Sequence, residues 1–187
     1  MKKIFLAVLL FCLCLSVPAH AEPPQTMDVN GLTSFLTRNK GKVVLVNFFA
    51  TWCPPCREEI PALIKLNREY REHGVVIIGL SCDDAAARVE PLIKKMGMDY
   101  PVFLAAKDLI AAFRVSSIPH NVFYDKDGSL LLSEAGMADE RTLRMVIDKL
   151  IGGKTSPAPS HEKGDAAGDR LEGNADTKNS SPSGQKR

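Results

Sequence analysis

The segment that most constrains the fold is a run of seven residues, Val43–Phe49, in which Asn47 is the one polar residue. A strand buried on one face alternates apolar and polar side chains, whereas a strand buried on both faces is almost continuously apolar. The run therefore predicts a central strand that is covered by helices on both sides. Residues 75–80 have the same character and predict a second buried strand.

The remaining apolar residues indicate helices that alternate with short strands. Helical spacing predicts helices around residues 32–36, 60–70, 89–96, 109–113 and 143–150. Further short strands are predicted at residues 100–104, 121–124 and 130–133. Asn30 is predicted to cap the first helix, and residues 125–128 suit the turn of an antiparallel hairpin. Together these elements predict an α/β fold with a mixed central β-sheet flanked by helices.

The first 21 residues have the three marks of a secretory signal peptide. Lys2 and Lys3 form a basic start, residues 4–17 are a short apolar run, and Ala19 and Ala21 are the small residues that cleavage requires. The run is shorter than the roughly 18–20 residues of a membrane span. We therefore expect cleavage near Ala21 and a periplasmic or otherwise extracytoplasmic location, with an uncleaved anchor as the alternative.

The last 36 residues, 152–187, are predicted to form a disordered tail. Leu171 is their only large aliphatic residue and they contain no aromatic residue, so they cannot bury enough apolar surface to offset chain entropy. Residues 22–151 remain as one domain, which we expect to be a monomer. Removing Lys2 and Lys3 with the leader leaves 22 basic and 22 acidic residues, a balance that argues against nucleic-acid binding.

The chemistry concentrates in Cys53-Pro54-Pro55-Cys56, between the first predicted strand and the helix after it. A thiolate at a helix N-terminus is stabilised by the helix dipole and by free backbone N–H groups. Two cysteines at this spacing can also close a disulfide across one helical turn. We therefore predict a redox pair in which Cys53 is the exposed nucleophile and Cys56 the shielded resolving thiol.

The cysteines also have other interpretations. A zinc site needs two more ligands, and the sequence has no second such pair. A copper(I)-binding chaperone that uses Cys53, Cys56 and His120 is the alternative function, although a lone histidine there is otherwise expected at the surface without a role. Cys82 is predicted to be a small core residue, with a third redox thiol as the other interpretation.

Residues 48–61, FFATWCPPCREEIP, resemble the active-site segment of the TlpA/ResA-like thiol-disulfide oxidoreductases of the thioredoxin superfamily. The resemblance extends over about residues 30–151. It includes Pro61, at the position of the proline that kinks the active-site helix, and residues 115–119, which match the cis-proline loop. It implies a thioredoxin-like fold with an extra helix and strand at about residues 85–104. It also implies a redox-active Cys53–Cys56 disulfide with no other cofactor and no metal.

The resemblance also implies roles for single residues. Trp52, Ile118 and Pro119 would contact the substrate chain, and the Ile118–Pro119 peptide bond would be cis. Thioredoxin has a buried carboxylate where this chain has Asn47, so that proton relay is absent. The family has a glutamate three residues after its second cysteine, and Glu59 matches it as a proton acceptor for Cys56. A solvated helix charge is the other interpretation of Glu59, and both stay open at this point.

The partners follow from the same resemblance. It implies protein disulfides as substrates, with apocytochrome c among the candidates because many family members act in cytochrome c maturation, and a membrane thiol relay of the DsbD/CcdA type as electron donor. The residues themselves indicate the direction of transfer. Pro54 and Pro55 have no N–H to stabilise a Cys53 thiolate, and a less stabilised thiolate makes the dithiol a better reductant.

Overall fold

The computed structural model describes residues 23–152. The predicted leader, residues 1–21, and all but the first residue of the predicted tail, residues 152–187, lie outside the described residues. The described strands are β1 (Thr26–Met27), β2 (Val43–Phe49), β3 (Val75–Ser81), β4 (Val102–Ala105), β5 (His120–Tyr124) and β6 (Leu130–Ala135). The described α-helices are α1 (Val29–Arg38), α2 (Pro54–Tyr70), α3 (Ala86–Met96), α4 (Lys107–Ala112) and α5 (Glu140–Ile151).

The strands form one mixed sheet in the order β1-β4-β3-β2-β5-β6. Strands β1, β4, β3 and β2 pair in parallel, whereas β5 is antiparallel to both β2 and β6. The α/β fold with a mixed sheet is confirmed. Helix α3 and strand β4 supply the extra helix and strand expected at residues 85–104. Within residues 23–152, no helix is both long enough and apolar enough to cross a membrane.

Strand β2 lies at the centre of the sheet and is buried along its whole length, as the apolar run predicts. Its alternate side chains enter two different cores. Val43, Leu45 and Phe49 pack with helices α2 and α5 on one side, and Val44, Val46 and Phe48 pack with α1 and α4 on the other. Asn47 shares the face of the first group, so its amide points toward α2.

The structure differs from the sequence analysis at two points. Asp28, not Asn30, caps α1, because the helix begins at Val29 and the carboxylate of Asp28 accepts a hydrogen bond from Gly31 N at 2.6 Å. Strand β1 was not predicted, because two residues are too few to show a strand period. It exists because it pairs with the distant strand β4.

Candidate active site

The cysteine pair lies where β2 leads into α2. Cys53 is the residue before the helix, and Pro54, Pro55 and Cys56 are its first three helical residues. Cys53 and Cys56 form a disulfide. The backbone N–H of Cys56 points at Cys53 Sγ, with a distance of 3.2 Å between N and S. Because both prolines lack an N–H, this is the one backbone donor that the first three helical residues offer to the sulfur.

The predicted exposure of Cys53 is wrong for this disulfide form, since Cys53 is 3% exposed and Cys56 1%. The cover comes from the loop that ends in Ile118, whose carbonyl oxygen lies 3.7 Å from Cys53 Sγ. The two cysteines nevertheless differ in access. Cys53 lines a cleft of about 460 Å³, and Cys56 does not. Of the two cysteines, Cys53 is therefore the one that borders the cleft.

Of the three residues that the resemblance assigns to substrate binding, two line the cleft, and the third, Pro119, follows Ile118 in the chain. Trp52, which is 64% exposed, and Ile118 both line the cleft, and the Ile118–Pro119 bond is cis. Pro119, the next residue in the chain, is buried, and its carbonyl oxygen accepts a hydrogen bond from Gly136 N at 2.8 Å. The loop before β5 is therefore tied to the loop after β6, next to the disulfide.

Glu59 is buried at 2% exposure, so its interpretation as a solvated helix charge is wrong. Its Oε1 accepts hydrogen bonds from Asn121 Nδ2 and Ala138 N, and its Oε2 accepts one from Asn47 Nδ2, each at 2.8 Å. Burial raises the pKa of Glu59 above its ordinary value, and the three hydrogen bonds offset part of that rise. None of the three donors carries a charge.

His120 is also buried, at 6% exposure, although the sequence predicts a surface position. Its Nε2 lies 2.7 Å from Ser133 Oγ, and the edge of its ring faces Phe48. Ser133 of the neighbouring strand β6 and Phe48 of β2 cover it, and the residues next to His120 in the sequence do not reveal this cover. Among residues 23–152, no group of three or more His, Cys, Asp or Glu side chains is arranged to hold a metal ion.

Comparisons with known proteins agree with this geometry. The model of the AhpC/TSA family matches residues 18–132, more than half of the chain. The thiol-disulfide oxidoreductase ResA of Bacillus anthracis is 32% identical over 124 residues, which are 66% of this chain and 72% of that protein. ResA of Bacillus subtilis (strain 168) is 28% identical over 130 residues, 69% of this chain and 73% of the relative.

A solved structure is also similar. The crystal structure of a thioredoxin-family thiol:disulfide interchange protein from Chlorobium tepidum TLS has a TM-score of 0.59 at 29% identity, covering 72% of this chain and 100% of that one. The chain belongs to the ResA/TlpA-like thiol-disulfide oxidoreductase family. The predicted family, thioredoxin-like fold and enzyme class are confirmed.

Besides Asn121, one further residue of this thiol-disulfide oxidoreductase was missed by sequence reasoning. Asp83 is buried after β3 and accepts hydrogen bonds from Thr51 N at 2.8 Å, Thr51 Oγ1 at 2.7 Å and Ser81 Oγ at 2.7 Å. It therefore holds the loop that carries Trp52 and Cys53. The sequence signal is weak, since Asp83 is one of two consecutive aspartates at the end of a predicted strand.

Cys82 is half-buried, packs against both cores, and lines the same cleft as Cys53. Burial, followed by the neighbouring charge of Asp83, raises the pKa of the Cys82 thiol to about 11. Since only a thiolate attacks a disulfide, Cys82 is a poor nucleophile at neutral pH despite its position.

We therefore expect Cys82→Ala to retain full insulin reduction. Removing one partly buried sulfur should lower the free energy of unfolding by about 1 kcal/mol or less. Insulin turbidity and urea unfolding would measure the two effects. A variant with unchanged stability and lost activity would show that Cys82 takes part in the redox chemistry.

Proposed function

We propose that this oxidoreductase is exported and reduces protein disulfides, with Cys53 as nucleophile and Cys56 as resolving thiol. The observation that carries the direction is the shortage of donors at the head of α2, where Cys56 N–H alone points at Cys53 Sγ. A thiolate with few donors is weakly stabilised, so the dithiol readily gives up its electrons. The observation that supports the order of attack is the cleft, which reaches Cys53.

The reaction takes two exchanges. The Cys53 thiolate attacks one sulfur of a client disulfide, forming a mixed disulfide and releasing the first client thiolate. Cys56 then loses its proton and attacks Cys53 Sγ, which forms the Cys53–Cys56 disulfide and releases the second client thiolate. The client gains two electrons, and the enzyme ends in the disulfide form. A membrane thiol relay of the DsbD/CcdA type is the proposed donor that restores the dithiol.

Glu59 is proposed as the acceptor of the Cys56 proton. It follows Cys56 by three residues on α2, so both side chains lie on the same side of the helix. Its burial supports the role, because a carboxylate with a raised pKa holds a transferred proton better than an exposed one does. Its three neutral donors keep the anion stable enough to be present before the transfer.

Trp52, Ile118 and Pro119 are proposed to bind the client chain, with apocytochrome c as the client class. The exposed indole of Trp52 and the half-buried side chain of Ile118 line the same cleft as Cys53 and offer apolar surface to a client chain. The location proposed for this reaction is extracytoplasmic, reached through cleavage of residues 1–21. Residues 152–187 are proposed as a tail outside the catalytic domain, which spans residues 22–151.

A disulfide peptide tests the client class. A c-type haem is attached at Cys-x-x-Cys-His, so we expect the purified dithiol enzyme to reduce such a peptide disulfide stoichiometrically and to become oxidised at Cys53–Cys56. Cys53→Ser is the matched control and should leave the peptide oxidised. No electron transfer from the wild-type dithiol would contradict the proposal. Mass spectrometry of the protein from cells tests export, with a mature N-terminus at Glu22 expected.

A further inference from the structure

Two buried asparagines contact Glu59, and the exchange described above uses them only as neutral hydrogen-bond donors to its carboxylate. Asn47 on β2 and Asn121 on β5 are directly opposite each other in the antiparallel ladder. They are 1% and 2% exposed. Buried amides are costly unless they are fully hydrogen-bonded, so the contacts that satisfy them indicate their purpose.

The three side chains form a closed ring. Asn47 Nδ2 donates to Glu59 Oε2 at 2.8 Å and to Asn121 Oδ1 at 2.9 Å, which uses both of its hydrogens. Asn121 Nδ2 donates to Glu59 Oε1 at 2.8 Å and completes the ring. A closed ring in a low-dielectric interior holds each member in one orientation. The two amides therefore fix the orientation of the Glu59 carboxylate.

The donors are divided unequally between the two carboxylate oxygens. Each oxygen has about two acceptor sites. Both sites of Oε1 are occupied, by Asn121 Nδ2 and Ala138 N, whereas among the described residues Oε2 accepts from Asn47 alone. One site on Oε2 is left for a proton.

We propose that Asn47 and Asn121 are positioning residues that hold Glu59 with one acceptor site of Oε2 free for the proton of Cys56. This inference rests on the proton-acceptor role proposed for Glu59. The neutrality of both amides matters, because a cationic partner would lower the pKa of the carboxyl and make it a poor acceptor. Without the amides, burial would raise the pKa of the carboxyl further and leave less of the anion that can accept a proton.

The other titratable groups around Glu59 do not supply this function. On α2 these are the cysteines themselves. Tyr100 lies in the segment before β4. Burial, followed by the charges of Glu59 and Asp99, raises the pKa of its phenol, so Tyr100 does not titrate near neutrality. From the loop before α5 comes Asp139, whose carboxylate caps that helix at Thr142 N.

The test measures the rate of the resolving step, the attack of Cys56 on Cys53, as a function of pH. In a Cys82→Ala background, the dithiol reacts with 5,5′-dithiobis(2-nitrobenzoate), and release of the second thionitrobenzoate reports the attack of Cys56 on Cys53. Since this step requires ionised Glu59, its rate should fall on the acidic side of the Glu59 pKa. Asn121→Ala removes one hydrogen-bond donor from the Glu59 anion and so raises the pKa of its carboxyl. The fall in rate on the acidic side of the pH profile, the acidic limb, should therefore move up by about one pH unit. At a pH below this shifted limb, the resolving rate of Asn121→Ala should be up to about tenfold lower than that of its Cys82→Ala parent.

Asn121→Asp keeps the shape of the side chain and guards against a folding failure of the alanine variant. It places a second carboxyl at the position 2.8 Å from Glu59 Oε1. Two carboxyls at this distance share one proton, so the limb should move up further. Asn67→Ala is the matched control. Asn67 is also a buried amide, but it lies on α2 and donates to Asp99 instead of Glu59. It should lower stability and leave the limb in place.

Unfolding measured against pH gives a second readout. The folded-state pKa of Glu59 lies above the ordinary 4.5, so folding favours the protonated form. Its contribution to stability is full below about pH 4.5 and is lost as the pH rises through the folded value. Subtracting the pH curve of the free energy of unfolding of Glu59→Gln from that of the wild type isolates this loss. In Asn121→Ala the loss of stability should continue to a higher pH.

The possible outcomes separate the two claims. If Glu59→Gln keeps the wild-type limb, Glu59 is not the acceptor and that part of the proposed function fails. If Glu59→Gln removes the limb but both Asn121 variants leave it in place, the positioning role is overturned while the acceptor role stands. A shift of equal size in Asn67→Ala would also overturn the positioning role, because the effect would then be a general loss of stability.

Discussion

Replacing Cys56 with Ser should convert the enzyme into a trap for its clients. Cys53 would still attack through the cleft, but no thiol would follow to release the mixed disulfide, so covalent complexes should accumulate. Turnover of insulin should fall by at least about 1,000-fold, since the second exchange is lost, and ΔΔG‡ for such a loss is about 4 kcal/mol. Non-reducing gels of cell extracts should show bands that vanish on adding reductant.

Cys53→Ser is the matched variant for this prediction. Its remaining thiol, Cys56, is 1% exposed and lies outside the cleft lining, so few or no complexes should form. If Cys53→Ser traps partners as well as Cys56→Ser does, the nucleophile is misassigned. The comparison of the two variants therefore tests the access argument independently of the redox potential.

Replacing Asp83 with Ala should cause the second large effect, because this carboxylate holds the loop that carries Cys53. The substitution leaves Thr51 N, Thr51 Oγ1 and Ser81 Oγ without their acceptor. Leaving buried donors unsatisfied costs about 1–3 kcal/mol each, and solvent access at Thr51 reduces the total, so we expect a loss of about 3 kcal/mol in the free energy of unfolding. Urea denaturation of the disulfide form measures it.

Asp84→Ala is the matched control for Asp83. Asp84 is the adjacent carboxylate, but its side chain is 72% exposed, and within residues 23–152 its ion pair is with Arg88 on the surface. Exposed pairs contribute about 0–1 kcal/mol, so this variant should remain close to wild type in stability and in insulin reduction. Equal losses in the two variants would contradict the role that we assign to Asp83.

Local pattern was sufficient for much of this fold. The Val43–Phe49 run identified the central strand because burial on both faces leaves an almost continuous apolar run, without the alternation of a strand that has one face at the surface. The cysteine pair could be placed at a helix N-terminus because the apolar spacing after it is helical. The resemblance added the cis peptide bond at Ile118–Pro119, which spacing alone does not reveal.

Tertiary contacts decided what local pattern could not. Cys53 is covered by Ile118, 65 residues away, and nothing near Cys53 in the sequence reports that cover. Glu59 looks like any helix-surface glutamate until Asn47 and Asn121, 12 and 62 residues away, close around it. Asp83 gains its role only because β3 lies beside β2 and brings it to Thr51.

The equilibrium redox potential of the Cys53–Cys56 pair tests the proposed direction of electron transfer most directly. Because Pro54 and Pro55 withhold two N–H donors from the Cys53 thiolate, we expect a potential nearer the roughly −270 mV of thioredoxin than the roughly −120 mV of the oxidant DsbA. Equilibration with a defined thioredoxin couple, quantified by thiol trapping, gives the value. A potential close to −120 mV would mean that the enzyme oxidises its clients, and the proposal of a reductase would be wrong.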